Sequence, residues 1–319
     1  MTPARIFFFT GGSAFNDASR ELAKIYAHVS YCLPVSDDGG STAEILRILG
    51  GPAIGDIRSR LLRLAREDTP EQRAVLSLLQ HRLPHVTAEA REQWLAIVEG
   101  SHELWIGVSD AYKHIIRSFL LQFNSSILQA SGPPFDFRGA SIGNCFFTGA
   151  RKFFHSLKSA VHLWKSVAGI PSVTKVLPVI NTHHTLTLGC ALTNGTQVFG
   201  QNEISHPGTQ VDKAVGTDSR LQSPIERLFY VNQWDQARLQ LLLLLFLAMD
   251  QEVAEQLRGA DMIVYSMGSL YTSIGASLVV GGVGPTIAQR PCRKVLLLNS
   301  RNDRESGDIP ASGYVTEIA

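Results

Sequence analysis

Residues 5–49, RIFFFTGGSAFNDASRELAKIYAHVSYCLPVSDDGGSTAEILRIL, carry the pattern that decides the fold. Arg5 to Phe9 is a short, continuous apolar run, broken by Thr10-Gly11-Gly12-Ser13. From Phe15 to Ala27 the apolar positions Ala18, Leu22 and Ile25/Tyr26 recur at helical spacing. Val29 to Val35 is apolar again and meets Ser36-Asp37-Asp38-Gly39-Gly40-Ser41-Thr42. A second helix then runs through Ala43 to Leu49 and stops at Gly50-Gly51, a good C-terminal signal. Strand, Gly-rich turn and helix, twice over, predict an α/β fold with a parallel sheet covered by helices.

Outward from this stretch, the loop Pro52 to Arg58 opens a third helix with Ile57, Leu61, Leu64 and Ala65 on one side. Residues 70–131 read as a helical insertion, with helices over Glu89–Val98 and Ala111–Phe123 and no strand-and-glycine rhythm. Gly139 to Asn144 opens one long helix over about Phe146 to Val167. Thr182 to Leu192 alternates like a strand, turns at Asn194-Gly195 and returns through Gln197–Glu203, an antiparallel hairpin expected to decorate the sheet. Leu241 to Met249 reads as a buried helix, well short of the roughly 20 residues a bilayer span needs. Asp261 to Tyr265 and Lys294 to Asn299 read as further parallel strands, within a single domain over 1–319.

The chain's 319 residues are 45% apolar and 18% charged, the balance of a globular protein with a sizeable core. A formal charge of +1 falls short of the basic footprint of a nucleic-acid binder. Cys32, Cys145, Cys190 and Cys292 are far apart, without CxxC spacing, and read as buried thiols. The N-terminus lacks the flanks of a signal peptide, so the expectation is a cytoplasmic protein with no membrane partner.

Four groups of loops carry candidate chemistry, since ligands of doubly wound sheets bind at the carboxyl ends of the strands. Free amides and the dipole at a helix N-terminus favour phosphate there. Gly11 and Gly12 allow close backbone approach and Ser13 adds a hydroxyl, although a tight turn needing positive φ would use the same residues. Asp37 and Asp38 precede Gly39-Gly40-Ser41; either Ser41 or Thr42 caps the helix, but a cap leaves two adjacent carboxylates unexplained. One or two carboxylates facing substrate phosphates is how Mg²⁺ is usually held. Arg58 in Gly55-Asp56-Ile57-Arg58 suits bidentate phosphate contact; in the alternative Asp56 caps the helix and Arg58 is exposed beside Arg60, Arg63 and Arg66. Ser141 to Asn144 and Gly268-Ser269-Leu270-Tyr271-Thr272-Ser273 offer hydroxyls, amides and a ring, or else a helix cap and a core tyrosine. His183-His184 lies in a strand pattern that sends the two rings to opposite faces, against joint metal binding.

In order, TGGSAFN (10–16), VSDDGGST (35–42), GDIR (55–58), GASIGN (139–144), ADMIVYSMGSLYTSI (260–274) and KVLLLN (294–299) resemble the CofD-like family. That family unites 2-phospho-L-lactate transferase with the bacterial gluconeogenesis factors. The stretches NTHHTLTL (181–188) and NSRNDRESG (299–307) resemble its uncharacterised fungal and plant-type branch. The resemblance implies a Rossmann-like fold, a nucleotide or nucleotide-sugar ligand, Mg²⁺, and compatibility with a homodimer. It implies either phospholactyl transfer from a nucleoside diphosphate to an acceptor hydroxyl, or a non-catalytic UDP-sugar-binding regulator. Carried over by motif, Gly11, Gly12, Ser13 and Asn16 contact the diphosphate. Asp37 and Asp38 hold the metal or orient the acceptor, beside Gly39, Gly40 and Ser41. Asp56, Arg58, Asn144, Gly268, Ser269, Tyr271 and Thr272 complete the pocket. The chain departs from the family pattern in lacking the triple glycine at 10–16 and in having Ser266-Met267-Gly268 where Gly-Pro-Gly is usual. The family pattern also leads one to expect further helix and strand after the segment that ends at Ala319.

Overall fold

The computed structural model describes residues 4–12, 14–26, 28–207, 220–232, 247–300, 303–307 and 309–319. The chain divides into two compact units, residues 1–38, 173–181 and 185–319 forming one, and residues 39–172 and 182–184 the other.

The first unit is built on a five-stranded sheet of β1 (Arg5–Phe9), β2 (His28–Leu33), β3 (Lys175–Pro178), β7 (Met262–Tyr265) and β8 (Arg293–Leu296), in the order β3-β2-β1-β7-β8. All four pairings are parallel, with Ile6 opposite Val29 on one side and Met262 on the other. β1 is a run of phenylalanines because a central parallel strand is buried on both faces. Phe8 stacks on Tyr31 at 5.4 Å, while Phe9, on the opposite face, stacks on Tyr265 at 5.7 Å. Successive residues of β2 show the covering helices. Tyr31 Oη donates to Ser19 O in α1 (Asn16–Ile25), and Ser30 Oγ donates to Gln256 in α10 (Gln251–Arg258). Since neighbours in a strand point to opposite faces, one helix lies on each side.

The hairpin forms, with Gly195 at φ 83°, but not on this sheet. β4 (Leu186–Leu192) pairs with β5 (Gln197–Phe199) and with β6 (Ile225–Asn232) in a separate three-stranded antiparallel sheet. Its return strand stops at Phe199, and Gln201–Ser205 turns into the short helix α9. His183 and His184 precede β4, so the strand argument does not apply to them; both are exposed. Most of the leucine-rich run, and Ser13, lie outside the described residues. The described end of that run is not helical, and Ala248 bridges to Gly281 in parallel. Among the described residues no helix is long and apolar enough to cross a membrane. All four cysteines are free, with Cys292 half-buried and the other three buried.

The second unit holds α2 (Gly40–Leu49), α3 (Gly55–Leu64), α4 (Pro70–Gln80), α5 (Thr87–Glu99), α6 (Asp110–Gln129), α7 (Ile142–Phe154) and α8 (Leu157–Val167). The expected insertion at 70–131 lies inside it. Local chemistry sets the boundaries: a Thr69/Gln72 capping box starts α4, and Gly100 at φ 86° ends α5. The single helix expected over 146–167 is two. His155 adopts a left-handed φ of 50°, and Ser156 caps the new helix by accepting from Ser159 N. α6 and α7 cross so closely that a Cβ on Gly149 would lie 1.9 Å from Phe119 O.

Candidate functional site

In the first unit the chain reverses its direction of sheet growth at β1, since β2 lies on one side and β7 on the other. Ligand crevices of such sheets open at this switch point, above the carboxyl ends of the strands. The β1 loop starts with buried Thr10, whose N–H donates to Cys32 O of β2. Gly11 faces the neighbouring loop: a Cβ there would meet Ser273 Cα at 2.9 Å. Gly12 is the opposite case, with φ +40° and nothing within 4 Å of where a Cβ would stand. One glycine therefore permits close packing and the other borders open space. Asn16 is buried in the first turn of α1 and accepts from Ser19 Oγ through its backbone carbonyl.

The β2 loop carries Asp37 and Asp38, both half-buried. Asp38 Oδ1 accepts from the Asn202 amide at 2.8 Å, in the first turn of α9. Gly200 makes room for it, because a Cβ at that φ of +100° would stand 2.7 Å from Asp38 Oδ2. Ser36 Oγ donates to Gln201 Oε1 alongside. Burial pushes the Asp38 carboxyl above its ordinary range, the Asn202 N–H opposes this, and the Asp37 charge adds to it. A cation is what such a pair of carboxylates would relieve. Among the described residues no cluster of three or more acidic, His or Cys side chains offers a complete metal cage. The donor set therefore fits Mg²⁺ only as two hard oxygens, with water and ligand oxygens supplying the rest.

The β7 loop leads into a π-helix, Leu270–Gly275. The motif offers the amides of this turn to a ligand, but the protein's own carboxylates take them. Asp303 Oδ2 accepts from Leu270 N at 3.0 Å. Glu305 accepts from Tyr271 N at 3.1 Å, from Thr272 N at 2.7 Å and from Thr272 Oγ1 at 2.5 Å. Ser269 also hydrogen-bonds to Glu305 through its side chain. Asn299 clips Gly268 twice, accepting its N–H and donating to its carbonyl. Tyr271 is buried, and its hydroxyl is pushed up by burial and by Glu317.

In the second unit the remaining motif residues gather on α2, α3 and α7. Gly39, not Ser41 or Thr42, caps α2, and Gly40 takes φ +49° with open space where a Cβ would stand. The cap thus falls two residues before Ser41 and three before Thr42, and this leaves the Ser41 side chain for another partner. Ser41 Oγ accepts from Asn144 Nδ2 at 2.8 Å, linking α2 to the first turn of α7. Asn144 is 2% exposed and its Oδ1 has no hydrogen-bond partner among the described residues. Asp56 does not cap α3, since Ile54 holds that position. Arg58 and Arg60 are buried rather than part of an exposed basic face. Arg58 lies against α7, its Cδ 3.1 Å from where a Gly143 Cβ would be; burial pushes the Cys145 thiol up, and the Arg58 charge opposes this only in part.

Residues 6–319 match the model of the family described as 2-phospho-L-lactate transferase CofD. The chain belongs to the CofD family. An uncharacterised Saccharomyces cerevisiae protein, YNL011C, is 32% identical over 97% of this chain and 81% of its own length. A putative gluconeogenesis factor of Thermotoga maritima is 23% identical over 91% of this chain, which spans 66% of that relative. The solved structure of protein BH3568 from Bacillus halodurans superposes with a TM-score of 0.68 at 22% identity, covering 99% of this chain and 76% of that one.

Five residues of this CofD-family site escape a reading by motif: Gly200, Asn202, Asn299, Asp303 and Glu305. Gly200 and Asn202 stand in the hairpin stretch and the other three in NSRNDRESG, both visible as motifs. Their partners lie 164 positions away for Asn202 and Asp38, and 33 for Glu305 and Thr272. No local periodicity reports such pairings.

Proposed function

We propose that this CofD-family protein binds a nucleoside-diphosphate-type ligand, with Mg²⁺, at the carboxyl ends of β1, β2 and β7. The observation that carries the reading is the pair Gly11 and Gly12 at the switch point: one is pressed against Ser273, the other opens onto space at φ +40°. Backbone bare of side chains beside a helix N-terminus is what a phosphate needs. Asp37 and Asp38 would hold Mg²⁺ together with ligand oxygens, and the metal would neutralise charge on the transferring phosphoryl group. Ser269, Tyr271 and Thr272 enter as the fixed frame of the β7 loop, since their donors serve Glu305.

The lead reading is a transferase that moves a phosphoryl-linked group from the nucleotide to an acceptor hydroxyl. The second is a non-catalytic binder of UDP-sugars that regulates carbon metabolism or cell shape. Asp38 favours it, because its carboxylate already serves α9 as a cap. A thermal-shift panel of UDP-glucose, UDP-N-acetylglucosamine, GDP, GTP and phospholactyl nucleotides, with and without Mg²⁺, separates them. A ligand at a hundred times its Kd stabilises by about 2.7 kcal/mol. Stabilisation by a phospholactyl nucleotide with turnover supports the transferase, and stabilisation by UDP-sugars without turnover supports the regulator. No shift with any nucleotide rejects both.

A further inference from the structure

Among the described residues Glu305 is a buried carboxylate in none of the ion pairs, ringed by donors of a single turn. It is 4% exposed, and the groups it gathers are the Tyr271 and Thr272 amides and the Thr272 and Ser269 side chains. Among the described residues the titratable groups that act on it or feel its charge are all acids: Asp303 on its own segment, Tyr271 on the π-helix, Cys190 on β4 and Tyr314 on α11 (Ala311–Ile318). Arg304, its chain neighbour, is exposed. Asp303 completes the hold by accepting from Leu270 N and from Ser306 N at 2.7 Å. Every donor at the head of the π-helix is thus satisfied from one downstream segment, and the turn it holds is the one that presses Ser273 onto Gly11.

We propose that Glu305 is a positioning residue of the nucleotide site: its single carboxylate fixes the 269–272 turn and, through Ser273, the Gly11 backbone beside which the ligand's phosphates lie. This rests on the nucleotide reading of the same loops. If the turn opens, Glu305 enters water and its proton affinity returns to the ordinary value of 4.5, whereas in the closed turn burial raises it to about 7. The charged carboxylate favours the open turn and the neutral one the closed turn. Linkage then makes opening about tenfold more frequent per pH unit between about pH 5 and pH 7, and constant above. A role in packing alone predicts no such slope.

The test is amide hydrogen exchange of Tyr271 and Thr272 in the ligand-free protein from pH 5 to pH 8, corrected for intrinsic rates. In the wild type, protection should fall about tenfold per unit up to pH 7 and then level. Glu305→Gln should flatten the profile. Thr272→Val, which removes one hydrogen bond to the charged form, should move the break to higher pH. A flat wild-type profile, or an unchanged profile in both variants, overturns the proposal, and the wild-type result decides even if Glu305→Gln fails to fold. Thermal shift with the same nucleotide panel and Mg²⁺ on these samples tests the underlying reading apart. No binding by any nucleotide beside a stepped profile rejects the site's ligand and the proposal's last link, while leaving Glu305's hold on the turn established.

Discussion

Gly11 and Gly12 are adjacent and have opposite reasons to be glycine. Gly11→Ala drives a methyl against the Ser273 backbone at 2.9 Å and should cost about 1–3 kcal/mol of stability, read as a lowered Tm. Gly12→Ala meets no atom, so its cost is the left-handed backbone alone, about 1–2 kcal/mol. Its larger effect should be on ligand, because the methyl occupies the space assigned to phosphate; nucleotide affinity that survives Gly12→Ala would count against that assignment. Asp38→Asn separates charge from shape. The amide oxygen can still accept from Asn202 N, so α9 keeps its cap and thermal unfolding without ligand should hardly move. Mg²⁺-dependent nucleotide binding should be lost, and affinity unchanged across a Mg²⁺ titration would refute the metal role.

At the scale of elements, Glu305 gives a pH dependence whose sign follows from its burial. The folded state binds the proton more tightly than the unfolded state, with values of about 7 and 4.5. The neutral acid therefore stabilises the fold in full below pH 4.5, and this advantage is lost as pH rises through 7. The wild type should lose about 3 kcal/mol relative to Glu305→Gln across that window, measured by urea unfolding at fixed pH values. Identical pH dependence in the two proteins would contradict it. The same site shows what a sequence can and cannot convey. β1, α1, β2 and α2 are legible because apolar runs and glycine punctuation act within a few residues. The break between α7 and α8 is not, because it rests on a left-handed His155 without the usual Gly or Pro. β6 is also hidden: IERLFYVN lacks clean alternation, with Glu226 and Arg227 together exposed and Leu228 to Tyr230 together buried. Glycines of the site were readable, since their freedom is intrinsic to the residue. The use of amides at the head of the π-helix was not, because Asp303 and Glu305 fill them from the far side of β8.

On the scale of the whole molecule, each unit has its own packing logic. In the helical unit the α6–α7 crossing depends on Gly149, whose Cβ would stand 1.9 Å from Phe119 O. Gly149→Ala should force the helices apart and cost about 1–3 kcal/mol, with lost amide protection concentrated in α6 and α7. Full protection there would show that the crossing tolerates the methyl. In the sheet unit, β1 lies between one neighbour close in sequence and one very far away. β2 follows within thirty residues, whereas the tie from Arg5 N to Asp261 spans 256 positions. During synthesis at about 5–20 residues per second, β1 waits tens of seconds for β7 to leave the ribosome. Through that interval one edge of the most apolar strand stays open, a row of amides and carbonyls ready to pair with any passing strand. The chain's greatest exposure to misassembly thus falls while it is being made, and a holding chaperone would act on β1.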